Sequence, residues 1–469
     1  MTTPAGYPVV LEDEMLVAGV RRLRPDDHFL VLVETDATPM HVGALILLDV
    51  PDAAKSGLVM AVRRQLAERI WQTPLPAILC QSPDGYDSDL WVDVDRIDFD
   101  RHVTGVPAGG AMDDQAVRAF VARRAMERLD LSQPPFHVDV FDRLEGPRGA
   151  LYVRMHHAVA DGVGFQTVLG MLSDASAATP PRMAGRLPSD AEWRHLADVR
   201  FDRLAVGAAA QSEQRKTALR AIEQLSADPA NWRASTPTLK MSGPTSASRA
   251  YDVVSLELER LKAVGKRFDG TVNDVFLAVA AAALRRLLIE MDDLPDTPIV
   301  VNSARSYRRP DHGLFGNRIV AMHPHLATTE PDPIVRFRSI QAAMAVERRR
   351  TPHDEALLDQ AERPYGARDR RAKFAQRLAG GAAMLPGNVT LSNVPGPAAE
   401  QSFAGFRQIA NYPVPLLGSG RFLNVTSRRY GPMLDMGIMV DPLKIPDPGR
   451  VARYLSDALE DYERLGGLV

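Results

Sequence analysis

Two adjacent histidines followed by an aspartate and a glycine are the residues of this sequence best suited to chemistry. They occur in HHAVADG as His156, His157, Asp161 and Gly162. An imidazole titrates near neutral pH and can therefore remove a proton from a hydroxyl or an amine. A nearby carboxylate can orient the ring or hold the turn, and a glycine allows a sharp backbone path or the close approach of a substrate. We interpret one of the two histidines as a general base.

A metal site and a nucleophilic mechanism are the two other kinds of chemistry to weigh. His157 and Asp161 are four residues apart, but the sequence contains neither HExxH nor CxxC and offers no spaced third ligand. We therefore expect no metal. GxSxG is also missing, and Cys80 has no neighbouring histidine. Without an evident nucleophile, direct transfer between two bound substrates is favoured over a covalent acyl-enzyme.

The elements around the motif place it at the carboxyl end of a strand. The apolar stretch Gly149–Met155 predicts a buried strand that runs directly into the histidines, and Met40–Val50 predicts another, bounded by prolines. After Gly162, apolar residues repeat at helical spacing; they are Phe165, Val168, Leu169 and Leu172. Loops at strand ends are where a rigid scaffold commonly presents catalytic side chains.

Length and composition limit the class of protein. The chain has 469 residues, more than one hydrophobic core usually organises, so we expect two domains. Lys+Arg 56 against Asp+Glu 59 gives a net charge of −3, which argues against a dedicated nucleic-acid binder. The single cysteine excludes an intramolecular disulfide and fits a reducing compartment such as the cytoplasm. We find no signal peptide, and no stretch approaches the ~18 apolar residues of a membrane span.

The chain divides where its composition changes. Pro-, Ser- and Ala-rich segments between about residues 175 and 248 flank a charged helical piece, which predicts a partly helical crossover linker. We assign residues 1–180 to an N-terminal domain with the histidine motif, 181–248 to the linker and 249–469 to a C-terminal domain. The C-terminal part alternates strand and helix patterns and ends in a hairpin predicted to turn near Gly431. The fold class is therefore α/β with mixed sheets.

Several sequence blocks together resemble a known family. HHAVADG resembles the HHxxxDG motif of the bacterial wax ester synthase/diacylglycerol O-acyltransferase family, which belongs to the CoA-dependent acyltransferase superfamily. The resemblance extends from about Leu23 to Asp447, with further blocks in the family's order. These blocks are LRPDDHFLVLVETDATPMHVGALILL, DFDRHV, LDLSQPPFHVDVF, TVNDVFLAV, VNSAR, GNRIVAMHPHL, SNVPGP and LNVTSRRYGPMLDMGIMVD.

This resemblance implies a fold and a reaction. It implies a two-domain sandwich with an active-site tunnel between the domains, an acyl-CoA substrate, no further cofactor, and a diacylglycerol or long-chain fatty alcohol as acceptor. It implies that His157 takes the acceptor hydroxyl proton, while His156 shapes the site. Asp161 is expected to pin the turn by pairing with an arginine of the second domain, and Arg305 is the candidate by analogy.

The resemblance also suggests substrate-binding residues. It assigns Asn273 and Asp274 a place near the tunnel or the thioester carbonyl, although Asn273 is also a good helix N-cap and Asp274 suits the positive helix end. Further candidates lie in the LDLSQPPF and SNVPGP blocks. They are Pro134, Pro135, Phe136, Ser392 and Asn393, and Arg305 of the VNSAR block is a further substrate-binding candidate. Pro135 stands where the family more usually has leucine.

Other functions stay open on the sequence alone. Basic clusters at RSYRRP, Arg348–Arg350 and RDRRAK usually face solvent, but they also suit CoA phosphates or anionic lipid headgroups. With an insoluble acceptor, we expect peripheral contact with the inner membrane or with lipid droplets. The alternatives are an acyltransferase of secondary metabolism or envelope lipid, a metal-dependent hydrolase built on His157 and Asp161, and a non-catalytic lipid-binding module.

Overall fold

The structure, a computed structural model, describes residues 15–82, 87–228, 236–359 and 386–469. Its strands are β1 (Met15–Val17), β2 (Val20–Arg22), β3 (His41–Asp49), β4 (Ala77–Cys80), β5 (Leu90–Asp93), β6 (Val103–Gly105), β7 (Phe136–Phe141), β8 (Arg148–His156), β9 (Ala250–Glu257), β10 (Val301–Ser306), β11 (Ile319–Met322), β12 (Val389–Val394), β13 (Ser402–Phe403), β14 (Phe406–Val414), β15 (Leu423–Tyr430) and β16 (Met433–Val440).

The helices lie between these strands and at the C-terminal end. They are α1 (Pro25–Val33), α2 (Leu58–Arg69), α3 (Phe99–His102), α4 (Asp114–Arg124), α5 (Gly162–Leu172), α6 (Asp190–Ser226), α7 (Leu258–Arg267), α8 (Val272–Glu290), α9 (Pro333–Asp359) and, as the last described helix, α10 (Pro448–Gly466).

Two mixed six-stranded sheets organise the molecule. The first has the order β13-β14-β3-β8-β7-β6 and the second has the order β11-β10-β12-β15-β16-β9. β3 and β8 form the long antiparallel centre of the first sheet, and both are largely apolar and buried. In the second sheet, β12 runs parallel to both β10 and β15. A smaller sheet has the order β1-β2-β5-β4.

The two halves of the chain are interlocked through the first sheet. β13 and β14 come from the second half, yet β14 pairs with β3 along Val414 to Gln408. A cluster of buried side chains also joins the halves, with Leu45 and Tyr152 from the first and Tyr251 and Met439 from the second. The α/β class with mixed sheets is therefore confirmed. The domain boundaries stay a prediction, and residues 229–235 of the linker lie outside the described residues.

Several predicted elements are confirmed with small shifts at their ends. The predicted strands correspond to β3 and β8, and the predicted helix after Gly162 is α5. α8 is buried almost all round, as its run of alanines suggests. The hairpin turns at Gly431, whose φ of 55° lies in the left-handed region that glycine tolerates.

Candidate active site

The turn that carries the histidines is held between a strand end and a helix start. β8 ends at His156, and the His157 backbone N–H donates to the Met40 carbonyl at 2.8 Å. Asp161 is the N-cap of α5, and its side chain accepts from the Gly164 N–H at 2.8 Å. This cap satisfies a helix donor that would otherwise be unpaired. The sequence HHAVADG is therefore a strand-to-helix connection whose path is determined by its own residues.

Asp161 is a structural centre of the turn. Besides Gly164, it accepts from the Arg318 backbone N–H and from Arg308 Nη2, each at 2.9 Å. The Asp161 and Arg308 side chains are each 1% exposed, so this is a buried ion pair between the two halves of the chain. The predicted pairing of Asp161 with an arginine of the second half is thus found, but the choice of Arg305 is wrong. Arg305 is exposed on β10.

His157 is the histidine that faces open space. Its ring lines a cavity of about 420 Å³ between the two halves. Its Nδ1 is buried without a hydrogen-bond partner among the described residues. Burial lowers the pKa of His157, so the ring is neutral and able to accept a proton at neutral pH.

Asn317, from the second half of the chain, supports His157. It was not among the site residues predicted from the sequence. Its Nδ2 donates to the His157 carbonyl and to Asp27 Oδ1, both at 2.8 Å, and its backbone N–H donates to the same Asp27 oxygen at 2.7 Å. Burial raises the pKa of Asp27 to about 7, against the lowering effects of Arg24 and Asn317. The only sequence signal was the family-like block GNRIVAMHPHL, which contains Asn317.

His156 lies behind the turn and is fully buried. Its Nε2 is 3.6 Å from Glu34 Oε1, and that oxygen accepts from the Met40 N–H at 2.9 Å. Burial alone would raise the pKa of Glu34, but contact with His156, the Met40 amide and Arg128 lower it to about 2. Because the Met40 carbonyl also accepts from the His157 N–H, His156 and Glu34 brace the segment that holds the histidine turn. Glu34 was also not predicted from the sequence to be part of the site.

The cavity brings some of the predicted residues together with residues that were not expected. His157, Gly162 and Ser392 all line it. A Cβ added at Gly162 would lie 3.2 Å from Val394 Cγ2, so any larger residue would press on β12. The predicted tunnel between domains corresponds to this cavity.

Asn273 and Asn393 contact each other beside the cavity. Asn393 Nδ2 donates to Asn273 Oδ1 at 3.4 Å, but neither residue is among the described residues that line the cavity. The N-cap of α8 is Thr271, not Asn273, because Thr271 and Asp274 form a reciprocal capping box. Asp274 is 3.8 Å from Arg348. The substrate contacts suggested for these residues stay a prediction.

The proline segment lies on the far side of the histidines. The Pro135 carbonyl accepts from the His156 backbone N–H at 3.0 Å, and Phe136 stacks on His102 with ring centroids 4.6 Å apart. Pro134, Pro135 and Phe136 are not among the described residues that line the cavity. In the structure they support β8; their assignment to substrate binding stays a prediction.

The basic clusters are largely paired with acidic residues where the structure describes them. Arg349 is 2.6 Å from Asp228, and Arg350 is 3.0 Å from Asp354. The RDRRAK cluster, residues 368–373, lies outside the described residues. Within the described ranges, no three His, Cys, Asp or Glu side chains are close enough to hold a metal ion. Over those same ranges, no helix is long and apolar enough to cross a membrane.

Comparison with known families shows which protein family has this fold and site. Residues 23–276 match the wax ester synthase/diacylglycerol acyltransferase catalytic domain, and residues 315–463 match the C-terminal domain of the same family. The chain belongs to this family. The family resemblance and the expectation of an acyltransferase enzyme are both confirmed.

Curated relatives of the wax ester synthase/diacylglycerol acyltransferase family match the chain along most of its length. A putative diacylglycerol O-acyltransferase of Mycobacterium tuberculosis is 28% identical, with 95% of this chain and 98% of the relative covered. The O-acyltransferase WSD of Acinetobacter baylyi is 25% identical, with 95% and 97% covered.

Solved structures confirm the two-domain fold. The wax ester synthase/diacylglycerol acyltransferase from Marinobacter aquaeolei VT8 matches with a TM-score of 0.65 at 23% identity, covering 95% of this chain and 100% of that chain. The first condensation domain of the calcium-dependent antibiotic synthetase matches with a TM-score of 0.55 at 16% identity, covering 95% and 96%. The prediction of a CoA-dependent acyltransferase-like sandwich is therefore confirmed as a fold.

Proposed function

We propose that the protein transfers an acyl group from acyl-CoA to the hydroxyl of a diacylglycerol or a long-chain fatty alcohol. The observation that carries the proposal is the neutral, cavity-facing ring of His157 on a turn braced from both halves. The family names the two acceptor classes, and relatives named diacylglycerol O-acyltransferase cover nearly the whole chain. A neutral imidazole beside a cavity can act as the general base that takes the proton of a hydroxyl nucleophile.

The reaction follows as direct transfer. His157 Nε2 removes the proton from the acceptor hydroxyl, and the oxygen attacks the thioester carbonyl carbon. The carbon–sulfur bond then breaks, and the CoA thiolate takes the proton back from His157. An ester and free CoA are the products, and no other co-reactant is needed. Asp161 and Asn317 hold the base in place and take no part in the proton transfer.

A metal-dependent hydrolase is less well supported by the same geometry. Asp161 accepts hydrogen bonds from Gly164, Arg308 and Arg318, so its oxygens are already engaged inside the protein. A carboxylate used in this way fits the role of a structural anchor between the halves. It does not fit the role of a metal ligand beside His157.

For the location, we propose peripheral association of a cytoplasmic enzyme with the inner membrane or with lipid droplets. Acyl-CoA is a water-soluble donor, whereas both proposed acceptors partition into lipid. The enzyme must therefore meet its two substrates at a lipid–water boundary. The assay for the function can report this directly if the acceptor is presented in sedimentable vesicles.

The test is CoA-thiol release from palmitoyl-CoA, with dioleoylglycerol or hexadecanol carried in anionic phospholipid vesicles. Removing the base in His157→Ala should lower acceptor-dependent turnover ~10²–10⁴-fold with the fold retained. The exposed His195 on α6 provides a matched control, and His195→Ala should keep wild-type rates. After the assay, sedimentation shows how much enzyme is bound to the vesicles.

Three outcomes would contradict parts of the proposal. Unchanged turnover in His157→Ala would remove His157 as the base. Enzyme that stays in the supernatant while turning over would contradict the peripheral location. Absence of turnover with both lipid acceptors would move the protein to the acyltransferases of secondary metabolism or envelope lipid, which would show as transfer to a polar acceptor.

A further inference from the structure

Five polar side chains form a strip across one wall of the active-site cavity. Asn302 on β10 is paired in register with Thr390 on β12, which is paired with Asn424 on β15. One step along, Ser392 is paired with Thr426. All five line the cavity. Residues two apart on a strand face the same side, so this polar strip is a continuous surface of the second sheet.

Part of the polar strip has unused hydrogen-bonding capacity. Thr426 Oγ1 donates to Asn424 Oδ1 at 3.0 Å, and Asn424 Nδ2 donates to the Leu416 carbonyl at 2.6 Å. The side chains of Asn302, Thr390 and Ser392 make no hydrogen bond to any residue that the structure describes. Their donors and acceptors therefore face the contents of the cavity.

The part of the cavity lining that comes from the first half of the chain is largely apolar. It is formed by α1, by β3 and by the start of α5. Its side chains include Phe29, Leu30, Val33, Val42 and Phe165. A ligand that fills this space with low cost must be apolar on one side and must offer polar groups on the other, because covering an unpaired polar group with hydrocarbon is unfavourable.

The polar strip begins close to the catalytic turn. Val394 of β12 lies against Gly162, as the 3.2 Å contact of an added Cβ shows. Ser392 is the next residue of β12 on the same face, about 7 Å from Val394 along the strand. Gln166 also reaches the cavity from α5, and its Oε1 is buried without a hydrogen-bond partner among the described residues.

We infer that the polar strip binds the ester-bearing glycerol backbone of the acceptor, so that the enzyme uses a diacylglycerol in preference to a long-chain alkanol. This inference rests on the proposed function. In a 1,2-diacylglycerol the two ester groups sit on the next two carbons along the glycerol backbone from the reacting alcohol, and their carbonyl oxygens accept from serine, threonine and asparagine. An alkanol places only methylene groups there and leaves these polar side chains without partners.

The test compares kcat/KM for dioleoylglycerol and hexadecanol, at equal mole fractions in the same detergent micelles with palmitoyl-CoA as donor. Wild-type enzyme should prefer dioleoylglycerol at least about tenfold. Ser392→Ala and Thr390→Val should each lower the dioleoylglycerol value about tenfold while the hexadecanol value stays equal or rises. Thr217→Val is the matched control, because Thr217 is exposed on α6 and bonds only its own helix.

The results that would contradict the role of the polar strip differ from those that would contradict the proposed function. A preference for hexadecanol in the wild type, or variants with no change, would overturn the inference. An equal loss with both acceptors together with a raised KM for palmitoyl-CoA would assign the strip to the amide-bearing arm of the donor instead. If no acceptor supports CoA release, the proposed function falls, and equilibrium binding of radiolabelled dioctanoylglycerol against decanol still decides the inference: equal binding of both lipids contradicts it.

Discussion

Asp161 shows why a motif can be recognised in sequence while its partner cannot. The aspartate is four residues from His157 in the chain, but the arginine that neutralises it comes from 147 residues away. Arg305 lies within β10, paired in register with Val320, and remains exposed. Arg308 follows the end of that strand, where the chain turns back and its guanidinium reaches Asp161 and the Gly313 and Gly316 carbonyls. The position of each arginine relative to the end of β10 therefore determines which of the two is buried.

The pair Arg308→Met and Arg305→Met tests this assignment at residue level. Arg308→Met leaves the buried Asp161 charge without its cation, which typically costs about 3–5 kcal/mol when one partner of a buried pair is removed. We therefore expect a large drop in the free energy of unfolding, measured by urea denaturation, and loss of CoA release. Arg305→Met should stay within about 0.5 kcal/mol of wild type, as is usual for exposed positions.

The opposite ranking of the two variants would show that Asp161 is anchored through the exposed arginine. An Arg308→Met protein of wild-type stability but lower activity would point to a role of Arg308 in substrate contact. Both readings can be separated because stability and turnover are measured on the same preparations.

Under the proposed mechanism, the pH dependence of the reaction should follow two buried groups, His157 and Asp27. Burial lowers the pKa of His157 below its usual value, so the base should stay neutral to lower pH than a free histidine. Burial raises the pKa of Asp27 to about 7, and Asp27 holds Asn317, so the wild-type acid limb combines both titrations. Asp27→Asn keeps an acceptor oxygen for Asn317 and removes one of the two groups.

In Asp27→Asn, kcat/KM for palmitoyl-CoA should fall with acid only below about pH 6.5, the ordinary histidine value. The direction follows from the sign of the His157 shift, because a base with a lowered pKa is protonated and lost only at lower pH. A midpoint above that value in the variant would mean that His157 is not neutralised by burial or is not the base.

At the scale of elements, local patterns predicted those parts of the site that depend on neighbouring residues. Apolar runs predicted β3 and β8, and 3.6-residue periodicity predicted α5, since burial of one strip determines both. The start of α8 was less well predicted, because Thr271 and Asn273 are both good caps. Thr271 prevails, since its hydroxyl and the Asp274 carboxylate satisfy each other's backbone donors.

Contacts between distant elements could not be predicted from local sequence patterns. β14 adds to the edge of β3 from more than 350 residues away, and Asn317 reaches the His157 carbonyl from the connection that precedes β11. Such pairings depend on which edges and turns meet in three dimensions, and periodicity carries no information about that. The family resemblance supplied the tunnel between domains and one residue of the polar strip, Ser392, but it did not identify Asn317, Glu34 or the rest of the strip.

At the scale of the whole molecule, the two large sheets approach each other closely where β14 meets β16. Gly437 of β16 lies against Pro413 of β14, and the Pro413 carbonyl also accepts from the Tyr251 hydroxyl at 2.9 Å. Pro413 itself lines the cavity, so a shift of β14 at this crossing would move part of the cavity lining. Stability and substrate binding should therefore respond together to a change at this point.

Gly437→Ala tests the crossing, with Gly170→Ala as the matched change. A Cβ at Gly437 would lie 1.7 Å from the Pro413 oxygen, so the sheets must separate, and such overpacking typically costs about 1–3 kcal/mol. A Cβ at Gly170 in α5 meets nothing within 4 Å, so alanine should be neutral or stabilising by up to about 1 kcal/mol. Urea denaturation gives both values, and Gly437→Ala should also raise KM for palmitoyl-CoA or for the acceptor. Equal stability of the two variants would mean that the halves are held together elsewhere, and a destabilised Gly437→Ala with unchanged KM would separate the crossing from the shape of the cavity.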